Sequence, residues 1–311
     1  MTEMNTKDKA VNTGRIIKGV GGLYTVIPDN DENLRINANA KGTFRHDKIT
    51  PCVGDRVSFE YIDEDTGFIT DIHERKNLLI RPMCANVDCL VITACAQNPK
   101  PDLYMLDKLS AVAVYNGIDV LFVFNKSDIC PADELLGIYR SAGFEAIGLS
   151  AARSCPDSAE IQKIKEFVKG KVSFFAGASG VGKTSLMNVL FPGLSLATGG
   201  LSRKISRGKH TTRATELYRV TDGTYIADTP GFSSFDVAQL RLIPKQHLLE
   251  AFPEIYKNAD GCTYKDCTHT GEGSDVCTVK RALEDGKIAV SRHENFVRLY
   301  TEISAVKDWD K

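Results

Sequence analysis

A glycine-rich loop between an apolar run and a helical pattern constrains this 311-residue chain more than any other feature. In "KVSFFAGASGVGKTSLMNVLF", Gly177 to Thr184 have the spacing G-x-x-x-x-G-K-[ST], with a strand predicted before the loop and a helix after it. The backbone N–H groups of such a loop surround a phosphate, and the helix N-terminus adds positive potential. The predicted phosphate-binding residues are Gly177, Ala178, Ser179, Gly180, Val181, Gly182, Lys183, Thr184 and Ser185.

Two side chains of this loop carry specific chemistry. Lys183 is placed to reach the β- and γ-phosphates of a nucleotide, which makes it a candidate catalytic residue. The hydroxyl group of Thr184 is a candidate Mg²⁺ ligand.

The periodicity on either side of the loop predicts a multidomain α/β protein. From Ala85 onward, apolar runs alternate with helical patterns, which predicts a parallel sheet covered by helices on both faces. Between Gly14 and Ile72, five short strand-like runs predict a small barrel such as an OB-fold. A hairpin with Asp222-Gly223 as its turn follows the loop helix, and residues 241–252 ("RLIPKQHLLEAF") have a helical pattern.

These changes along the chain suggest domain boundaries. We expect a loose tail over residues 1–14, the barrel over 15–74 and a nucleotide-binding domain over 75–240. We expect a helical C-terminal domain over 241–311, zinc-binding because it contains the set Cys262, Cys267, His269 and Cys277.

Composition excludes several classes of protein. With 42% hydrophobic and 25% charged residues the chain should fold, and it contains neither an 18-residue apolar run nor an apolar signal sequence. We therefore expect a cytoplasmic protein with no membrane partner. Six of the nine cysteines are scattered along the chain, which is typical of reduced thiols in a protein core. They are Cys52, Cys84, Cys89, Cys95, Cys130 and Cys155.

Charge is concentrated in one segment, although the net charge is only −1. Residues 201–213 ("LSRKISRGKHTTR") hold five lysines and arginines and no acidic residue. Such a segment indicates an anionic partner, or it is a solvated basic loop.

A second nucleotide-binding pattern precedes the loop. Asn125-Lys126-Ser127-Asp128 follows a predicted buried strand and resembles the N-K-x-D element of GTPases. In that element the carboxylate, here Asp128, accepts two hydrogen bonds from guanine, and adenine offers no such pair of donors. Ser150 and Ala151 resemble the Ser-Ala element that faces the guanine oxygen. The alternative for the four residues 125–128 is a plain turn after a strand.

Further patterns follow the loop. Asp228-Thr229-Pro230-Gly231 resembles the D-x-x-G element, in which the aspartate holds Mg²⁺ through water and the glycine N–H meets the γ-phosphate. Thr211 and Thr212 lie where GTPases place the threonine that closes over Mg²⁺ and the γ-phosphate. Either residue fits, and Thr212 is favoured.

The order of these patterns indicates a circular permutation. GTPases commonly carry the phosphate loop, the threonine and D-x-x-G before N-K-x-D and Ser-Ala, whereas here the last two come first. Cyclic order is preserved, and a permutation keeps each loop at the carboxyl edge of a parallel sheet.

The chain resembles the circularly permuted GTPases that act in biogenesis of the bacterial small ribosomal subunit. The resemblance covers nearly the whole length, including "ITPCVGDRV", "GASGVGKTS", "GKHTTR" and "DTPGF". It implies an OB-fold, a permuted GTPase domain and a zinc domain, with GTP hydrolysis stimulated by the 30S subunit.

One residue departs from the pattern of Ras-type GTPases. Phe232 follows Gly231, where those enzymes carry the glutamine that orients the attacking water. His210 in "GKHTTR" matches the histidine proposed for that role in the resembled family, and imidazole can orient or deprotonate water. The alternative is a histidine that contacts RNA phosphate or solvent.

The remaining cysteines form a pattern with a histidine. Cys262, Cys267, His269 and Cys277 offer three thiolates and one imidazole, a set suited to structural Zn²⁺. The interval between His269 and Cys277 is longer than in the resembled family. The alternative is that these cysteines are reduced and hold no metal.

The sequence therefore predicts an enzyme that binds GTP or GDP with Mg²⁺ and one structural Zn²⁺. We expect hydrolysis to be coupled to late maturation of the 30S subunit, with binding to 16S rRNA, a monomeric state and no DNA partner. The alternatives are an RNA-binding module in which GTP only holds a conformation, and an ATPase or kinase, which Asp128 disfavours.

Overall fold

The described part of the chain forms two compact units. The computed structural model describes residues 12–40, 49–80, 83–194, 215–221, 223–228 and 243–305. The first unit contains the described residues up to 86 together with 215–218. The second contains those from 87 to 194 and from 219 onward.

The first unit is a closed five-stranded barrel, as predicted. Its strands pair in the order β1-β2-β3-β5-β4, and β4 pairs back onto β1. Apolar residues alternate into the interior, where Ile16, Val26, Ile36, Phe59 and Ile69 are fully buried. The strands are β1 Asn12–Val20, β2 Leu23–Pro28, β3 Ile36–Ala40, β4 Arg56–Tyr61 and β5 Thr66–Ile72.

The barrel begins earlier than expected and is followed by a short hairpin. Strand β1 starts at Asn12, inside the segment expected to be a loose tail. Gly21 and Gly22 form the two-residue turn to β2 with φ of 62° and 88°, values that favour glycine and suit a tight hairpin. Two short strands, β6 Leu78–Ile80 and β7 Met83–Ala85, pair antiparallel after the barrel.

The second unit contains the predicted parallel sheet. Its strands lie in the order β10-β9-β8-β11-β13, and each adjacent pair among these five is parallel. Every residue of β8 and β11 is buried, as expected for strands covered on both faces. The strands of this sheet are β8 Cys89–Cys95, β9 Asp119–Asn125, β10 Glu145–Gly148, β11 Val172–Ala176 and β13 Thr224–Asp228. Strand β12, Glu216–Thr221, has its first three residues in the first unit.

Helices follow the strands where the sequence predicts them. Asp102 caps the first helix by accepting a hydrogen bond from the N–H of Met105, at 3.2 Å. The helices are α1 Leu103–Tyr115, α2 Asp133–Ser141, α3 Ala159–Val168, α4 Lys183–Leu190, α5 Pro253–Lys257, α6 Thr278–Glu284 and α7 Val290–Ala305. Among these helices, none has the length and apolar character needed to cross a membrane.

The prediction of a helix over residues 241–252 is wrong for residues 243–252, which the structure describes. A 3-10 turn spans Lys245–His247, further turns follow it, and α5 begins only at Pro253. A proline disfavours helical backbone in the residue before it, and Phe252 has φ −119° and ψ 87°. The apolar spacing of this segment therefore reflects burial without a continuous helix.

The scattered cysteines only partly fit the prediction of core thiols. All nine are free thiols, and Cys52, Cys84, Cys89 and Cys95 are buried. Cys130 is half-buried and Cys155 is exposed, so an apolar run nearby does not ensure burial of a cysteine.

A buried ionic cluster joins the C-terminal helices to the nucleotide-binding sheet. Arg292 of α7 is fully buried and donates to Asp107 of α1 at 2.8 Å and to both oxygens of Glu254 at 2.6 and 3.1 Å. Tyr139 of α2 and Asn295 also donate to Asp107, at 3.0 and 2.6 Å. One side chain thus ties three segments of the second unit together.

The two carboxylates keep the buried guanidinium charged. Burial alone would lower the pKa of Arg292, but the charges of Asp107 and Glu254 more than offset this, so its pKa lies above the ordinary value. Removing one partner from a buried ionic group leaves uncompensated charge, which costs about 3–5 kcal/mol.

We predict that Arg292→Met lowers the free energy of unfolding by about 3–5 kcal/mol, because Asp107 and Glu254 stay buried without a countercharge. Chemical denaturation of the full chain measures this. The control is Lys169→Met, which removes an exposed ion pair with Glu166 and should cost about 0.5 kcal/mol or less. Equal losses in the two variants would contradict the assignment.

Candidate nucleotide site and metal cluster

The phosphate-binding loop lies against the neighbouring strand without room for a side chain at its first glycine. Gly177 follows β11 with φ 146°, and a Cβ atom there would lie 2.0 Å from the carbonyl oxygen of Thr93 in β8. Glycine is therefore required for the loop to leave the sheet at this point.

The last glycine of the loop is held against the N-K-x-D segment. Gly182 precedes α4 with φ 93°, and a Cβ atom there would lie 2.2 Å from Nδ2 of Asn125. Thr184 and Ser185 are in the first turn of α4, and their side chains are half-buried. The glycine spacing is visible in the sequence, and the structure adds that a side chain at position 182 would collide with the amide of Asn125.

Asn125 brings three of the predicted elements together. Its Nδ2 donates to the carbonyl oxygen of Val181 at 2.9 Å, and its Oδ1 accepts from the N–H of Ala151 at 2.8 Å. The same Oδ1 accepts from the N–H of Lys126, also at 2.8 Å. The side chain is buried, so these bonds satisfy groups that would otherwise be costly to desolvate. The phosphate loop, N-K-x-D and Ser-Ala segments are therefore adjacent.

Lys126 makes a second connection to the phosphate loop. Its backbone has φ 63°, and its Nζ donates to the carbonyl oxygen of Gly180 at 2.6 Å and to that of Asn98 at 2.7 Å. The Lys126 side chain therefore links the N-K-x-D segment both to the loop and to the turn after β8.

Asp128 is kept ionised by its neighbours. The hydroxyl group of Ser150 and the guanidinium of Arg153 lower the pKa of its carboxyl group, and Arg153 Nε lies 3.2 Å from Oδ2. A carboxylate of this kind accepts hydrogen bonds only, as binding the two donors of guanine requires.

Lys183 points back over its own loop. Its Nζ donates to the carbonyl oxygens of Gly177 and Ala178, at 2.6 and 3.1 Å. Burial lowers the pKa of Lys183, and a phosphate in the loop would favour its charged form. Ala178, Ser179 and Gly180 are exposed, so the loop is accessible from solvent.

Several predicted site residues lie outside the part of the chain that the structure describes. These are His210, Thr211, Thr212 and Gly231, together with Phe232 and the basic segment 201–213. Asp228 is the last residue of β13, and its side chain is also outside the described set.

The predicted metal ligands form one cluster. The ligand atoms of Cys262, Cys267, His269 and Cys277 all lie within 4.8 Å of one another. Nδ1 of His269 is 3.7, 3.4 and 3.5 Å from the three sulfur atoms in that order. Cys277 therefore joins the group despite its longer spacing.

These distances fit a tetrahedral zinc site. Zinc–sulfur and zinc–nitrogen bonds of about 2.3 and 2.0–2.1 Å at a tetrahedral angle place sulfur and nitrogen about 3.6 Å apart. Burial lowers the pKa of His269, which favours the neutral imidazole that binds metal. The donor set and its geometry are therefore compatible with structural Zn²⁺.

The cluster has supporting contacts that the sequence pattern did not indicate. His293 Nε2 donates to the carbonyl oxygen of His269 at 2.8 Å, and the N–H of Thr278 donates to the sulfur of Cys262 at 3.4 Å. Sequence reasoning also missed Arg153 beside Asp128. These residues have no diagnostic spacing from the groups they contact, so only the fold reveals them.

Comparison with known proteins decides the family. The sequence model of the RsgA GTPase matches residues 72–238, and that of the RsgA N-terminal domain matches residues 13–69. The chain belongs to the RsgA GTPase family. Membership makes it a GTP hydrolase that binds guanine nucleotide and Mg²⁺, as predicted.

Relatives of the RsgA family cover almost the whole chain. A "Small ribosomal subunit biogenesis GTPase RsgA" from Caldanaerobacter subterraneus is 37% identical over 293 residues, or 93% of this chain and 95% of the relative. One from Ruminiclostridium cellulolyticum is 38% identical over 299 residues, or 95% and 94%.

Two solved structures confirm the fold class. YjeQ from Thermotoga maritima has a TM-score of 0.79 and 31% identity, covering 96% of this chain and all 100% of that one. YloQ, described as a circularly permuted GTPase, has a TM-score of 0.76 and 31% identity, with coverage of 98% and 99%. The permuted order predicted for this chain is therefore confirmed.

We predict that Gly182→Ala weakens guanine-nucleotide binding by roughly tenfold or more. The added methyl group would displace the Asn125 amide, and a left-handed backbone costs a non-glycine residue about 1–2 kcal/mol. Titration with a fluorescent GDP analogue measures the affinity.

Gly137→Ala in α2 is the matched control, because a Cβ atom there meets no other atom within 4 Å. Its affinity should equal that of the unaltered chain. If Gly182→Ala also bound GDP normally, the contact with Asn125 would not be needed to form the loop.

Proposed function

We propose that this GTPase acts in assembly of the small ribosomal subunit, and that the 30S particle stimulates its hydrolysis of GTP. Relatives that share 37–38% identity over nearly the whole chain carry the name of small ribosomal subunit biogenesis GTPases, which supports the proposal. We place its action late in maturation of the subunit and infer that it binds 16S rRNA as a monomer, without DNA.

The single observation that carries the nucleotide chemistry is the junction made by Asn125. Because one amide binds the phosphate loop and the Ser-Ala segment together, a nucleotide held by that loop would direct its base toward Asp128. In this proposal Asp128 accepts from guanine, Ser150 and Ala151 face its oxygen, and Lys183 binds the β- and γ-phosphates.

Hydrolysis requires a metal ligand set and a group that orients water. We propose that Thr184, Asp228 and Thr212 hold Mg²⁺, with Thr211 as the alternative to Thr212. The N–H of Gly231 would donate to the γ-phosphate. Bound Mg²⁺ would neutralise charge that develops on the phosphates. Phe232 cannot orient water, so we assign that role to His210.

We predict slow hydrolysis by the chain alone and a rate many-fold higher with purified 30S particles. His210→Ala should bind GTP normally but lose most of the stimulation, whereas Lys183→Ala should lose nucleotide binding. Phosphate release with 30S, 50S and 70S particles measures this, and single-turnover assays separate hydrolysis from product release.

The matched control is His247→Ala, which removes a half-buried histidine whose Nδ1 lies 3.1 Å from Glu250. It should keep full stimulation. Equal rates with and without 30S particles would reject the stimulated GTPase and favour a module in which GTP only holds a conformation. Normal stimulated hydrolysis by His210→Ala would reject the role of that histidine.

We also propose that the Cys/His cluster holds one structural Zn²⁺. Elemental analysis should find about one zinc per chain, and Cys277→Ser should lose most of it and unfold at lower temperature, since zinc-site binding energy is folding energy. Cys155→Ser, outside the cluster and exposed, should keep its zinc. Full zinc content in Cys277→Ser would exclude that residue as a ligand.

A further inference from the structure

The outer wall of the barrel carries an exposed row of residues that includes three large apolar side chains. Strand register places Val20 opposite Leu23, Leu23 opposite Asn39, and Asn39 beside Phe68. Phe68 lies opposite Glu60 at the end of the row. Paired residues point to the same face, so this row crosses all five strands over roughly 19 Å. We call these five residues the outer row.

The outer row is open to solvent. Val20, Leu23 and Phe68 have exposed fractions of 57%, 49% and 41%. Single exposed apolar residues are common, but three large ones aligned on one face indicate an interaction surface.

A parallel row beside it is mainly polar. Register aligns Lys18 with Thr25, Thr25 with Asn37, and Asn37 with Thr66. Lys18 is the only cation of the two rows, and its Nζ lies 3.1 Å from Glu216. This part of the wall therefore offers uncharged polar groups next to the apolar row.

Charge at the β4–β5 end of the outer row favours one class of partner. Residues 60–65 ("EYIDED") place four carboxylates at the β4–β5 end of the outer row, and all but Glu60 lie in the exposed turn. Binding to nucleic acid depends on cations that neutralise phosphates, and carboxylates at this position would repel the backbone. Lysines and arginines of a protein partner would instead be attracted.

We propose that the outer row is a docking surface for a protein segment that carries apolar side chains flanked by lysine or arginine. Phe68 is the apolar anchor nearest the acidic turn, Val20 and Leu23 extend the apolar contact, and the acidic turn pairs with the basic residues. In the setting of the proposed function, which this inference extends, the segment belongs to a basic protein of the small subunit and not to its RNA.

The first test uses the full chain with a defined probe, a labelled peptide of alternating leucine and lysine. Phe68→Gln and Leu23→Gln should each weaken binding roughly tenfold, as expected for truncating an apolar anchor. Ile129→Gln is the control, because Ile129 lies in the other unit and is 65% exposed. This variant should bind the peptide as tightly as the unaltered chain does. Equal affinities for all variants, or preference for a single-stranded oligonucleotide, would overturn the proposal.

The second test places a photoreactive benzoylphenylalanine at position 68, or at 129 as control, and irradiates the chain with purified 30S particles. We expect an adduct from position 68 that survives ribonuclease and maps to a lysine- or arginine-rich peptide. An RNA adduct, or a yield no higher than at 129, would reject the protein partner. If the chain does not sediment with 30S, the proposed function fails, and the peptide measurement still decides the docking surface.

Discussion

The candidate nucleotide site depends on the hydrogen bonds of one buried amide. Asn125 binds backbone groups at Val181 and Ala151, which come from segments 56 and 26 residues away along the chain. A buried amide left without partners costs about 1–3 kcal/mol, so the three segments are most stable when they meet. This requirement also explains the glycine at 182, because a larger residue would occupy the position of the amide.

The second constraint lies at α7, where two consecutive residues contact different structures. Arg292 is buried between Asp107 and Glu254, whereas His293 donates to the backbone of the metal cluster at His269. Because a helix has fixed geometry, holding one of these residues restricts the other. The Cys/His cluster and helix α1 are therefore mechanically connected through α7, which gives a physical path between the C-terminal region and the nucleotide-binding sheet.

Much of the fold was predictable because local patterns and burial agree. The barrel strands alternate, β8 and β11 are continuously apolar, and the glycine spacing of the phosphate loop is needed for its backbone. The helix predicted over 241–252 was wrong, since the described part of this segment forms a 3-10 turn and further turns, and Pro253 opposes helical backbone at Phe252. Arg292 could not be found, since its partner Asp107 is 185 residues away and the pair has no characteristic spacing.

The reversed order of the motifs follows from where parallel strands end. The loops after β9 and β11 leave the same edge of the sheet, and β8 lies between these strands in the observed order. Lys126 reaches across this gap to Gly180, with Asn98 after β8 accepting from the same amine. The site therefore depends on which strands are neighbours and not on which is synthesised first. A sequence comparison that required the common order would miss the adjacency of these segments, which the strand order preserves.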